Sequence, residues 1–96
     1  MLVVVTYDVR TADPEGARRL RKVAKVCLNY GSRVQNSVFE CVVSPADYLL
    51  LKVDIIDIID KAVDTVRFYQ LGSNWENRIE SFGVKRSFDF NEPIIL

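Results

Sequence analysis

The N-terminal run LVVVTYDV, residues 2–9, constrains the fold of this chain most. Apart from Asp8, it is made of β-branched, aromatic and other apolar residues at both odd and even positions, without Gly or Pro. A strand that is apolar on both sides must be covered on both faces, so the run predicts a strand in the middle of a sheet. Asp8 is its first charged side chain and lies where the strand is expected to end.

A helix is predicted next. Asp13 followed by Pro14 is typical of an N-cap with proline at the first helical position. Six apolar side chains then fall within an arc of about 140° at helical spacing, namely Ala17, Leu20, Val23, Ala24, Cys27 and Leu28. The rest of this helix carries the cations Arg18, Arg19, Arg21, Lys22 and Lys25. Gly31 is expected to end the helix in a left-handed conformation.

The middle of the chain predicts strand, helix and strand. Residues 33–43, RVQNSVFECVV, fit one long strand or two short strands divided at Asn36-Ser37. Ser44-Pro45 begins a second helix that runs to about Asp60. Its inward face is predicted to be Ala46, Leu49, Leu50, Val53 and Ile56, and its solvated face to carry the acids Asp54, Asp57, Asp60 and Asp64. Residues 64–71 predict a further strand, and residues 77–81 a possible short one.

This order of elements predicts one α+β domain over residues 1–96, with βαββαβ topology if residues 33–43 divide into two strands. A chain of 96 residues leaves no room for a second core. Its small size favours extra burial through self-association. The apolar end Pro93–Leu96 also needs a groove or a sheet edge, in its own chain or in a partner.

The absence of histidine excludes several kinds of catalytic site. The chain contains no His, so Ser-His-Asp and Cys-His nucleophiles, a histidine acid or base, and His-containing zinc sites are ruled out. Cys27 and Cys41 lack C-x-x-C spacing and are predicted to be buried thiols. The sequence predicts neither a signal peptide nor a membrane span, which favours a cytoplasmic protein without a membrane partner.

Charge is distributed unevenly along the chain. Thirteen basic and thirteen acidic residues cancel overall, but residues 1–33 have a net charge of +4 and residues 34–64 a net charge of −4. Such asymmetry suggests a side that faces a polyanion. The basic face of the first helix, with Arg33 after it, is therefore predicted to bind nucleic acid, although a merely solvated face is the alternative.

Asp8 is the candidate metal ligand. A carboxylate at the end of a strand, beside a loop, is a usual position for a Mg²⁺ ligand. A capping or ion-paired aspartate is the alternative, and the spacing of residues alone does not lead to a reaction.

Four segments resemble the small CRISPR-associated endoribonuclease family, the smaller of the two adaptation proteins. They are VVVTYDV, ARRLRKVAKVCLNYGSRVQNSVFEC, DTVRFYQLG and EPIIL. The resemblance implies a ferredoxin-like fold with an additional C-terminal strand, and a homodimer in which the sheets pack together. It also implies that residues 77–96 pack on the partner subunit. Tyr7, Asp8, Arg33, Ser37 and Phe39 match the family's residues, with Asp8 as the metal ligand, whereas the cations of the first helix match only loosely.

The resemblance favours a Mg²⁺-dependent endonuclease that cleaves phosphodiester bonds of RNA or DNA. Each chain offers one candidate metal-binding carboxylate, Asp8. A two-fold axis near the end of the first strand would therefore have to bring two Asp8 side chains together. The alternative is a non-catalytic DNA-binding adaptor that scaffolds the larger adaptation integrase. The choices between RNA and DNA, and between single strand and duplex, stay open.

Overall fold

A computed structural model describes residues 1–84 of the chain. It contains four strands and two helices, followed by a short 3₁₀ helix over Trp75–Asn77. In chain order these elements are β1 (Leu2–Asp8), α1 (Pro14–Tyr30), β2 (Gly31–Gln35), β3 (Val38–Val42), α2 (Pro45–Ile58) and β4 (Thr65–Gly72). Residues 33–43 thus contribute to two strands, and Asn36-Ser37 forms the turn between them.

The four strands form one antiparallel sheet in the order β2-β3-β1-β4. β1 lies between two neighbours, as predicted, and Val3 and Val5 on its helix-covered side are fully buried. Val4 and Thr6 on its other side are only partly buried, so the expected burial on both faces is not met within residues 1–84. Both helices contribute buried side chains to a single core on one side of this sheet, among them Val23, Cys27 and Leu51. The βαββαβ order with this sheet topology is ferredoxin-like, which confirms the predicted fold class.

The helix α1 begins as the sequence predicts but ends differently. The Asp13 side chain accepts a hydrogen bond of 2.8 Å from the Gly16 N–H, and Pro14 is the first helical residue. Gly31 is extended, with φ −167° and ψ −162°, so the expected left-handed stop is wrong and the chain passes directly into β2. A Cβ on Gly31 would lie 2.1 Å from the Glu40 carbonyl oxygen and 2.7 Å from Cys41 Sγ. The glycine therefore permits close approach of β2 to β3.

The predicted inward face of α2 is wrong. The helix buries Leu51 and Ile55 and packs Tyr48 and Ile58 against the core. The predicted side chains instead face solvent: Ala46, Leu49, Leu50, Val53 and Ile56 are all exposed. α2 is apolar on most of its circumference, so its sequence defines two possible inward faces and not one.

The end of the described chain contains no strand at residues 77–81. Asn77 closes the 3₁₀ helix, and residues 78–84 form no regular element. The additional C-terminal strand was expected within residues 77–96, and the part of it beyond residue 84 lies outside the described residues. The segment Pro93–Leu96 lies outside them entirely.

Cys27 and Cys41 are buried free thiols, as predicted. Within residues 1–84, no helix is long and apolar enough to cross a membrane.

Candidate nucleic-acid and metal site

The C-terminal end of β1 brings three of the predicted site residues to one edge of the sheet. Asp8 is the last residue of β1, is exposed, and lies opposite Thr65 at the start of β4. The Tyr7 N–H donates a 3.1 Å hydrogen bond to the Ser37 carbonyl in the β2–β3 turn. Because neighbouring side chains of a strand point to opposite faces, the buried Tyr7 points into the core and Asp8 points away from it.

Asp8 belongs to no metal-binding cluster of side chains within the described residues. Across residues 1–84 no three Cys, Asp or Glu side chains come together as a metal-binding group, and Asp8 takes part in no ion pair. An exposed, unpaired carboxylate fits Mg²⁺, which binds through one or two carboxylates and keeps several waters. It does not fit a metal cage built from one chain alone.

Tyr7, Phe39 and Arg33 form a stacked cluster on the core side of the sheet. The Tyr7 and Phe39 ring centroids are 6.2 Å apart with an interplanar angle of 19°, and the Arg33 guanidinium lies 5.1 Å from the Phe39 centroid. The Tyr7 hydroxyl donates to the Asn36 carbonyl at 3.4 Å. Burial, with a smaller contribution from Cys27, raises the pKa of Tyr7 to about 12. The phenol therefore stays protonated at neutral pH and serves as a donor.

Arg33 belongs to this cluster and not to the basic face of α1, which corrects the sequence prediction. It is half-buried, and its Nε is buried without a hydrogen-bond partner among residues 1–84. Phe39 is fully buried, so its ring is part of the core and offers no face to a bound base. Arg33 pairs with Phe39 across the β2–β3 ladder, which explains why the two side chains share the core side.

Arg19 also differs from the sequence prediction. It forms an ion pair with Asp64 and does not face solvent with the other cations of α1. Arg19 Nε lies 2.8 Å from Asp64 Oδ2, and the Asp64 side chain is fully buried. The same carboxylate accepts hydrogen bonds from the backbone N–H groups of Arg10, at 3.0 Å, and Asp60, at 2.9 Å. This Asp64 clamp joins the loop after Asp8, the first half of α1 and the turn before β4.

The Asp64 clamp stabilises the ionised carboxylate. Desolvation by burial opposes ionisation, but hydrogen bonds from Arg19, Asp60 and Arg10 together outweigh it and lower the pKa of Asp64. The hydrogen bond between Arg19 and Asp64 also raises the pKa of Arg19. Asp64 is therefore a buried structural acid, not a member of the solvated face of α2. Its position after the end of α2, directly before a strand, is the one sequence signal that separates it from Asp54 and Asp57.

The exposed cations of α1 are fewer than predicted. Arg18, Arg21, Lys22 and Lys25 face solvent, while Arg19 turns towards Asp64. Arg18 lies 3.5 Å from Glu15, with both side chains more than half exposed, so this face contains one acidic partner that the sequence prediction overlooked. An exposed pair of this kind is weak. Three cations therefore remain on α1 without an ion-pair partner among the described residues.

Comparison with known proteins decides the family. The model of the family "CRISPR associated protein Cas2" matches residues 1–79. The chain belongs to the CRISPR-associated protein Cas2 family. The resemblance seen in the sequence is thereby confirmed. A Rhodospirillum rubrum relative named "CRISPR-associated endoribonuclease Cas2 3" is 52% identical over 95 residues, which span 99% of this chain and 100% of the relative.

Further similarities extend over most of each chain. A Halalkalibacterium halodurans relative named "CRISPR-associated endonuclease Cas2" is 50% identical and covers 99% of both chains. The crystal structure of Streptococcus pyogenes Cas2 at pH 6.5 matches with a TM-score of 0.75 and 55% identity, over 86% of this chain and 100% of that one. The fold described above is therefore the fold of solved Cas2 family members.

Proposed function

We propose that this Cas2 family member is a metal-dependent endonuclease that cleaves phosphodiester bonds. The observation that carries the proposal is the exposed Asp8 carboxylate at the end of the central strand β1, which has no ion-pair partner within residues 1–84. The names of the relatives, endoribonuclease and endonuclease, support the same reaction class. RNA and DNA are both proposed substrates.

Asp8 would hold Mg²⁺ together with Asp8 of a second copy of the chain. A two-fold axis near the end of β1 supplies two carboxylates, which is the number that Mg²⁺ accepts alongside water and phosphate oxygens. When bound, the metal ion supplies activation of a water molecule and stabilisation of the departing oxygen. Asp8 fixes the site at the sheet edge, and the Asp64 clamp holds the loop that follows it through the Arg10 N–H.

A homodimer through the open face of the sheet is part of this proposal. Val42 of β3 is 60% exposed and Tyr69 of β4 is 46% exposed, so large apolar side chains remain uncovered on strands. Tyr69 lies beside Val4 on β1, which adds a third apolar side chain to that face. Exposed apolar patches of this kind mark interfaces. Residues 77–96 are proposed to pack on the partner subunit as well.

The test is a cleavage assay with the full chain on single-stranded RNA and duplex DNA. We expect cleavage of at least one substrate with Mg²⁺ and none with EDTA, because Asp8 alone offers no route to hydrolysis. Binding without cleavage under Mg²⁺, Mn²⁺ or any other divalent ion would contradict the nuclease. That result would favour the alternative, a DNA-binding adaptor that scaffolds the larger adaptation integrase.

The basic face of α1 is proposed to bind the phosphate backbone. Replacing Arg21, Lys22 and Lys25 together with Ala should weaken binding at low salt and lower the slope of log affinity against log salt by about 2 to 3. Each cation that contacts a phosphate releases about one counterion, so the loss of three such cations should change the slope by nearly three. The control is Lys61→Ala, an exposed cation beyond α2. An unchanged slope in the triple variant would exclude α1 as the binding surface.

A further inference from the structure

One face of α2 exposes a row of large apolar side chains. The exposed fractions are 56% for Leu49, 54% for Leu50, 53% for Val53 and 36% for Ile56. With Ala46 they recur at the spacing of one helical face, and we call these five residues the α2 stripe. None of the five belongs to the core that residues 1–84 form, to which α2 contributes its opposite side.

The α2 stripe is more apolar than an ordinary solvent-facing helix surface. A helix that is apolar on most of its circumference is normally covered on both sides. Isolated exposed apolar residues are common, but a continuous row is typical of an interaction surface. Its spacing of i, i+3, i+4 and i+7 is the pattern by which helices are recognised in apolar grooves and on other helices.

The charges beside the α2 stripe restrict what can cover it. On a helical wheel centred on Val53, Asp57 lies about 40° away, within the arc of the stripe and one turn beyond Val53. Asp54 lies about 100° away on the same side, whereas Lys52 lies about 100° away on the opposite side. Neither aspartate takes part in an ion pair within the described part of the chain. Membrane-binding helices have basic flanks that contact anionic lipid, so the acidic flank argues against a membrane. The same carboxylates would repel phosphates, so they also argue against nucleic acid as the partner of this surface.

A second copy of α2 is disfavoured for the same reason. Two α2 stripes packed antiparallel across a two-fold axis would bring like flanks together, so Asp54 and Asp57 would face their own copies. Like charges at such positions destabilise the pair. The complementary occupant is a helix with an apolar row and basic side chains at its edge.

We propose that the α2 stripe is a docking surface for an amphipathic helix of another protein, whose apolar row is flanked by Lys or Arg. This surface is separate from Asp8 and from the basic face of α1. The inference does not rest on the proposed nuclease activity.

Binding of two synthetic helical peptides to the full chain tests this inference. Each peptide is about 20 residues long and carries the same Leu row, flanked by Lys in one and by Glu in the other. We expect the Lys-flanked peptide to bind at least about tenfold more tightly, measured by fluorescence anisotropy. Like charge at the Asp54–Asp57 flank should disfavour the Glu-flanked peptide.

Two variants locate the binding. Leu49→Gln with Val53→Gln should weaken binding of the Lys-flanked peptide about tenfold or more, since central apolar anchors dominate such contacts. Asp54→Lys with Asp57→Lys should reverse the preference between the two peptides. The matched control is Val63→Gln, an exposed apolar residue outside the helix, which should leave both affinities unchanged. Thermal unfolding shows that each variant is folded.

Several outcomes would overturn the inference. Failure of the Lys-flanked peptide to bind the full chain, equal binding of both peptides, or unchanged binding of the Lys-flanked peptide to the Leu49→Gln/Val53→Gln variant would each do so. Vesicles of phosphatidylcholine and phosphatidylglycerol that bind through the stripe would identify a membrane surface instead. A larger assembly of the unmodified chain than of the Leu49→Gln/Val53→Gln variant in sedimentation would identify a second copy of the chain as the occupant of the α2 stripe instead.

Discussion

Replacing Asp8 with Asn is expected to lower the rate of metal-dependent cleavage by about a hundredfold or more. Loss of a group that merely supports a metal ligand costs about 10- to 100-fold, so loss of the ligand itself should cost at least as much. Asparagine keeps the size of the side chain but removes the charge that holds a hard cation. Affinity for nucleic acid should be retained or slightly increased, because one negative charge is removed near phosphates.

The matched control for this variant is Asp54→Asn, an exposed carboxylate on α2. It should cleave at the rate of the unmodified chain. Both variants should unfold at the same temperature as the unmodified chain, since neither carboxylate takes part in an ion pair among the residues described. Cleavage by the Asp8→Asn variant at the full rate would remove Asp8 from the mechanism.

Replacing Asp64 with Ala is expected to give the largest loss of stability. It leaves the guanidinium of Arg19 and the N–H groups of Arg10 and Asp60 without the acceptor that they share. Arg19 is 18% exposed and can turn to solvent, so the cost comes chiefly from the N–H groups that lose a charged acceptor, about 1 to 3 kcal/mol in the free energy of unfolding. Urea unfolding measures this loss, with Asp57→Ala on the exposed face of α2 as the control.

The same clamp predicts how stability depends on pH. The pKa of Asp64 lies below its ordinary value, so the native state binds this proton less readily than the unfolded state. Its stabilisation is therefore fully present above the unfolded pKa of about 3.9 and is lost as pH falls through the native pKa. The stability difference between the unmodified chain and Asp64→Asn should shrink as pH falls below about 4. A difference that is constant from pH 7 to pH 3 would contradict the role of the ionised carboxylate.

The sequence predicts most of the fold because its signals are local. Asp13-Pro14 and the apolar face of α1 identify that helix within a few residues, and the two-sided apolarity of residues 2–9 identifies the central strand. The inward face of α2 could not be assigned in the same way. Its apolar residues surround most of the helix, and only the packing of Leu51 and Ile55 against the sheet selects a side.

The site is predicted less completely because its decisive contacts join distant residues. The sequence identifies Asp8 from its position at the end of β1. It does not show that Arg19 pairs with Asp64, which lies 45 positions away along the chain. The position of Arg33 over Phe39 likewise depends on how β2 and β3 pair. Arg19 on a helix is therefore a structural cation, and Arg33 in a strand is half-buried beside the core.

Mn²⁺ binding, measured by electron paramagnetic resonance alongside cleavage in the same samples, tests whether two Asp8 side chains hold a metal ion that cleavage requires. We predict one Mn²⁺ for every two copies of the unmodified chain, with cleavage that rises as this site fills. Asp8→Asn should lose both the bound Mn²⁺ and the cleavage, while Asp54→Asn keeps both. Binding of Mn²⁺ at the same stoichiometry in Asp8→Asn, or cleavage that is independent of the bound metal, would show that Asp8 does not hold a catalytic metal ion.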